Sequence, residues 1–171
     1  MAKAWNVSGL LQDATFRDAA GRVVVTRWRE MMSFRDGTLA GEDIEQLHAM
    51  RVSSRRLRAA MDAFAGAFPG KSFRTHLRVV KEITDTLGAA RDLDVAVDGL
   101  EAVVRDFADI ERPGIEALVA EYRTHRAAEA THIAALFTRL DEEHFGQRFE
   151  RWVARHTGVD PAGLQTQPAD Q

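Results

Sequence analysis

"LHAMRVSSRRLRAAMDAFAGAFPG", residues 47–70, places a histidine and four arginines between positions 48 and 58 with no acid among them. Successive residues of an α-helix turn by about 100°. With His48 set at 0°, Arg55 falls at about −20°, Arg51 at about −60° and Arg58 at about −80°. Met50, Leu57, Met61 and Phe64 fall on the opposite side, between about 160° and 220°, and form the stripe a helix turns toward its core. Arg56 projects at about 80°, apart from the other bases. Pro69-Gly70 then closes the segment, because proline has no amide hydrogen to donate and glycine frees the backbone to turn.

Working outward, the same punctuation divides the chain into helices. The pattern predicts a first helix from Ser8 to Arg35, broken by Asp36-Gly37-Thr38, with Gly21 a tolerated cost of about 1 kcal/mol. A second runs from Gly41 to Phe68, a third from Ser72 to Leu87 with Gly88 as its break, and a fourth from Arg91 to Asp109. A fifth starts at Pro113 and reaches Leu140, and a sixth spans Glu142 to His156. Residues 157–171, with two glycines and two prolines, are expected to be a disordered tail. The expected class is all-α: an antiparallel bundle of about five or six helices in one domain over residues 1–156.

At 171 residues, 45% hydrophobic and 29% charged, the composition is that of a soluble globular chain. With no cysteine there is no disulfide framework and no thiolate metal site. No stretch approaches the roughly 18 apolar residues that read as a membrane span, and the N-terminus lacks a signal-peptide pattern. These features lead to the expectation of a cytoplasmic protein with no membrane partner.

The formal net charge is −3, yet from His48 to Arg91 nine bases face three acids, a net +6 that leaves −9 on the remainder. A solvated helix face ordinarily mixes signs, since like charges four residues apart destabilise by a few tenths of a kcal/mol. Arg51 and Arg55 are such a pair. Arginine also offers a planar fork that grips phosphate oxygens two at a time. In the next helix, Arg74, Arg78 and Lys81 again share a face, within about 60°. Two basic faces on neighbouring antiparallel helices would line one groove, which suits a compact polyanion on an otherwise acidic body.

Together with the later stretch "LRVVKEITDTLGAARDLDV", residues 77–95, the opening segment resembles the CHAD family, the conserved histidine α-helical domains. The likeness rests on His48, Arg51, the run Arg55-Arg56-Leu57-Arg58, Lys81 and the stretch from Leu87 to Val95, and it is concentrated in residues 40–100. It implies two pseudo-symmetric helical halves around a basic groove that binds inorganic polyphosphate; no cofactor is expected. By that resemblance the candidate contacts are His48, Arg51, Arg55, Arg56, Arg58, Lys81 and Arg91, to which the helical-face argument adds Arg74 and Arg78. Asp92 and Asp94 match as well and are expected to cap the fourth helix. The second basic helix of the family pattern is not found in this sequence. A second copy of the chain is therefore expected to complete the groove as a homodimer, and association with polyphosphate granules follows from the ligand.

Two other readings compete. Glu45/His48 and Glu129/His132 are both Glu-x-x-His, half of a ferritin-like di-metal site. Arg51 one turn from His48 opposes a dication there. Nucleic acid could also use a phosphate-binding groove, but no aromatic platform for bases accompanies the arginines. The sequence shows no glycine-rich phosphate loop, no nucleophile elbow, no zincin motif and no acidic triad beside the arginines, and so points away from an enzyme. His76, His125, His132, His144 and His156 are read as solvated or satisfied within the core.

Overall fold

In a computed structural model, residues 3–104 and 112–165 are described. They form six α-helices: α1 Phe16–Met32, α2 Arg35–Ala40, α3 Ile44–Ala63, α4 Lys71–Val103, α5 Arg112–Glu142 and α6 Phe145–Thr157. The all-α bundle expected from the sequence is observed, with several boundaries moved.

The first helix starts at Phe16 rather than Ser8. Thr15 caps it by accepting the Asp18 amide on Oγ1 at 3.1 Å, while Ser8 Oγ donates to the Gln165 carbonyl at 2.7 Å and ties the two ends of the chain together. The break expected at Asp36-Gly37-Thr38 falls earlier, at Ser33-Phe34. Those three residues lie inside α2, which ends at the left-handed Gly41. Asp43 caps α3 by accepting the Glu45 amide at 2.9 Å. That helix stops at Ala63, and a 3-10 turn at Ala65–Ala67 leads into Pro69-Gly70.

The larger correction concerns Gly88. The two helices expected on either side of it are one, α4, 33 residues long. Val80, Ile83, Leu87 and Ala90 are fully buried along this helix. Burial of such side chains at about 1.5–3 kcal/mol for each large one outweighs the roughly 1 kcal/mol cost of one glycine. Asp92 and Asp94 therefore stand mid-helix and cap nothing. Asp94, buried, accepts from Arg126 Nε of α5 at 2.6 Å.

The tail is also corrected, as far as residue 165. Val159 and Leu164 are buried in the core, and a 3-10 turn occupies Pro161–Gly163. A Cβ on Gly21 would stand 2.4 Å from Thr157 Oγ1 and 2.7 Å from Val159 Cγ2, so the glycine is what lets the C-terminal segment lie against α1. The rest of the expected tail, residues 166–171, lies outside the described residues, as does the end of the expected fourth helix at Asp109.

The expected apolar stripe of α3 is the core face, with Met50, Leu57 and Met61 fully buried and Phe64 packed at its edge. Where α6 crosses α1 and α4 the core is aromatic: Trp28 tilts against Phe149 at 4.8 Å, and His76 stacks on Trp152 at 4.3 Å. No helix among the described residues is long and apolar enough to cross a membrane.

Candidate functional site

α3 and α4 pack side by side and leave an open groove of about 650 Å³ between their outward faces. One wall is built by α3, which contributes Arg51, Arg55 and Arg58 at successive turns, as the 100° rotation requires. The other wall is α4 at Thr84, Asp85, Gly88 and Asp92. Gly88 faces Arg51 across the groove, and a Cβ there would lie at an ordinary contact distance of 3.8 Å from Arg51 Nε.

The three arginines are thus brought together as the sequence suggests, and their electrostatic setting decides what the groove can do. Arg51 Nη2 stands 3.9 Å from an oxygen of Asp92, a loose contact with a carboxylate whose side chain is 78% exposed. Among the described residues Arg55 and Arg58 take part in no ion pair. Their guanidinium groups therefore keep their hydrogen-bond donors for an external acceptor.

Sequence reasoning missed the acids of this groove. Asp62, Asp85 and Asp92 line it together with the arginines. The signal was available. Asp62 follows Arg58 by four residues and falls at about −40° on the α3 wheel, inside the basic arc. Asp85 and Asp92 share the stripe of Arg74, Arg78 and Lys81 once α4 is drawn as one continuous helix. They do not converge on one point: among the described residues no group of three His, Asp or Glu side chains is placed to hold a metal ion.

The other expected contacts are distributed differently. Lys81 is half-buried, and Arg74 and Arg78 are exposed. They continue the α4 stripe past Asp85 toward the helix N-terminus, over about 6 to 16 Å at 1.5 Å per residue. His48 is half-buried one turn before Arg51 and is not part of the groove wall; its Nδ1 is buried with no hydrogen-bond partner. Arg91 is likewise half-buried off the wall, with one terminal nitrogen buried and unpartnered.

Arg56 is a correction. It donates from Nη1 to Glu30 Oε1 at 2.8 Å, and Glu30 is fully buried and also paired with Arg27. A buried carboxylate needs such partners, so Arg56 belongs to the α1–α3 interface and faces away from the groove. For the di-metal alternative, Glu129 and His132 contact each other at 3.4 Å, and among the described residues no metal-holding group joins them to Glu45 and His48.

Comparison with known proteins bears on the whole chain. The family model of the CHAD domain matches residues 23–170. A solved structure, the crystal structure of the CHAD domain from the plant Ricinus communis, matches with a TM-score of 0.73 at 22% identity. The match covers 94% of this chain and 53% of the plant chain, so the chain spans about half the length of that relative. A search of curated proteins finds no match.

Proposed function

The chain belongs to the CHAD domain family, and on that premise we propose that its α3–α4 groove binds inorganic polyphosphate without catalysing its breakdown. The observation that carries this reading is the pair Arg55 and Arg58, side by side on one wall with no ion pair among the described residues. Two unneutralised guanidiniums on one helix face repel each other, and an extended chain of phosphates relieves that repulsion through charge-assisted, bidentate hydrogen bonds. The carboxylates of Asp85 and Asp92 repel the same ligand from the α4 wall. The phosphate chain therefore lies against the Arg51–Arg58 turns of α3, short of Asp62 at the end of that wall, and leaves the groove along Lys81, Arg78 and Arg74.

A bare phosphate chain suits this groove better than nucleic acid, because among the described residues its walls carry no aromatic side chain on which a base could stack. A cytoplasmic location at polyphosphate granules would follow from the same ligand.

The test is a double substitution. Arg51→Ala/Arg55→Ala removes two groove donors that lie outside the hydrophobic core, so the fold is expected to persist while long-chain polyphosphate binds at least tenfold more weakly. Binding as tight as the parent's would show that the groove is misplaced. Nucleic acid displacing polyphosphate at equal phosphate concentration would favour the nucleic-acid reading instead.

A further inference from the structure

A second basic cavity lies away from that groove. It has a volume of about 340 Å³ and is walled by Ser72 and His76 of α4 and by Arg148, Arg151, Trp152 and Arg155 of α6. His76 stands about 160° to 200° around α4 from Arg74 and Arg78, so this cavity opens on the other side of the helix. The three arginines share about 60° of the α6 surface.

Its charge balance differs from that of the α3–α4 groove, where three aspartates accompany three arginines. Among the described residues, no carboxylate is on this wall. Arg148 donates to the Glu143 carbonyl at 3.2 Å and lies 3.8 Å from its carboxylate. Arg151 donates from Nε to the Gln147 carbonyl at 3.2 Å, which leaves its two terminal nitrogens. It also borders a neighbouring cleft with Asp160 and with Glu150, the latter already paired with Arg29. Arg155 has neither hydrogen bond nor ion pair among the described residues.

The floor adds an independent observation. His76 is only 9% exposed and stacks on Trp152 with ring planes 15° apart. Its Nδ1 meets the Ser72 carbonyl at 2.8 Å, where only an N–H can bond, so Nδ1 carries the proton. The other ring nitrogen, Nε2, has no hydrogen-bond partner among the described residues. Trp152 Nε1 donates to Ser72 Oγ at 3.3 Å, which leaves the serine hydroxyl hydrogen to donate elsewhere.

We propose that this cavity is a second anion site, taking a compact phosphate-class oxyanion such as inorganic pyrophosphate between the α6 arginines and the Ser72–His76 floor. Burial holds His76 below the ordinary histidine range, opposed by its bond to the Ser72 carbonyl and reinforced by Arg148 and His156. Those two α6 side chains are the groups acting on the ring, and Arg151 and Arg155 stand with it on the cavity wall. The ring is therefore neutral at pH 7. An oxyanion in the cavity favours its protonation, because Nε2 donates a hydrogen bond only as imidazolium.

Titration calorimetry with inorganic pyrophosphate, joined to proton NMR titration of His76, tests the site. Arg151→Ala/Arg155→Ala alters two exposed side chains, so the fold is expected to survive, and circular dichroism verifies it. The expected results are at least tenfold weaker pyrophosphate binding in that variant, less than twofold change in Arg17→Ala, an exposed arginine of α1 outside the cavity wall, and a rise of the His76 midpoint in the parent when pyrophosphate is present. Absence of binding to the parent, undiminished binding to the double variant, or an unmoved His76 midpoint would each overturn the proposal. A failure of the groove reading registers elsewhere, as long-chain polyphosphate binding that survives Arg51→Ala/Arg55→Ala.

Discussion

Arg55 and Arg56 are neighbours in sequence with opposite environments. Arg55 is exposed on the groove wall, whereas Arg56 crosses to α1 and satisfies the fully buried Glu30. Their alanine variants should separate cleanly. Arg55→Ala is expected to weaken polyphosphate binding and leave stability within about 0.5 kcal/mol, as surface substitutions usually do. Arg56→Ala is expected to leave binding intact and to destabilise the fold by roughly 1–3 kcal/mol, because a buried acceptor loses one of its charged donors. Urea unfolding alongside binding isotherms reads both. A third residue, His76, sets a pH dependence. Its folded pKa lies below the unfolded value, so the unfolded chain takes up the proton first as pH falls. The stability it contributes is complete above the unfolded pKa of about 6.5 and is lost as pH drops through the lower, folded value. His76→Phe keeps an aromatic ring against Trp152 and should flatten that part of the stability profile; an unchanged slope would assign the pH dependence to other groups.

At the scale of elements, α4 is where local signals and tertiary packing disagree. Gly88 reads as a stop, yet Leu87 and Ala90 on either side of it are fully buried and carry the helix through. Gly88→Ala is accordingly expected to stabilise the protein by up to about 1 kcal/mol, since the added Cβ meets only Arg51 Nε, at an ordinary 3.8 Å. A loss of stability would mean that the helix needs flexibility there. The same disagreement explains what was legible. The apolar stripe of α3 and its arginine face could be read directly, because an uninterrupted helix has one fixed rotation per residue. Of the groove's aspartates, Asp62 on α3 and Asp85 within the expected third helix were open to the same rotation, and only Asp92 required α4 to be drawn unbroken. Glu30, the partner of Arg56, lies 26 residues away on α1, and no local pattern announces a pairing made by helix packing. The C-terminal segment was misread for a related reason: its glycines and prolines suggest disorder, but Val159 settles into the space left by Gly21.

Across the whole molecule, positive charge is spent in two ways. Arg27, Arg29, Arg35, Arg56, Arg126 and Arg139 are matched to carboxylates that join helices or fix a turn within one. Arg55 and Arg58 in the groove, and Arg155 on α6, are not matched among the described residues. A body of net charge −3 with such local surpluses should bind polyanions with strong salt dependence, at a log–log slope of about −0.7 for each phosphate neutralised, by analogy with single strands. If a second copy completes the groove, light scattering should show a dimer in the presence of polyphosphate; a monomer with and without it would remove that assembly. The most direct measurement of the central claim is the salt dependence of long-chain polyphosphate binding for the parent and for Arg55→Ala/Arg58→Ala. Two unpaired guanidiniums that engage phosphate predict weaker binding in the variant and a slope shallower by about 1.4; equal affinity and equal slope would contradict the account.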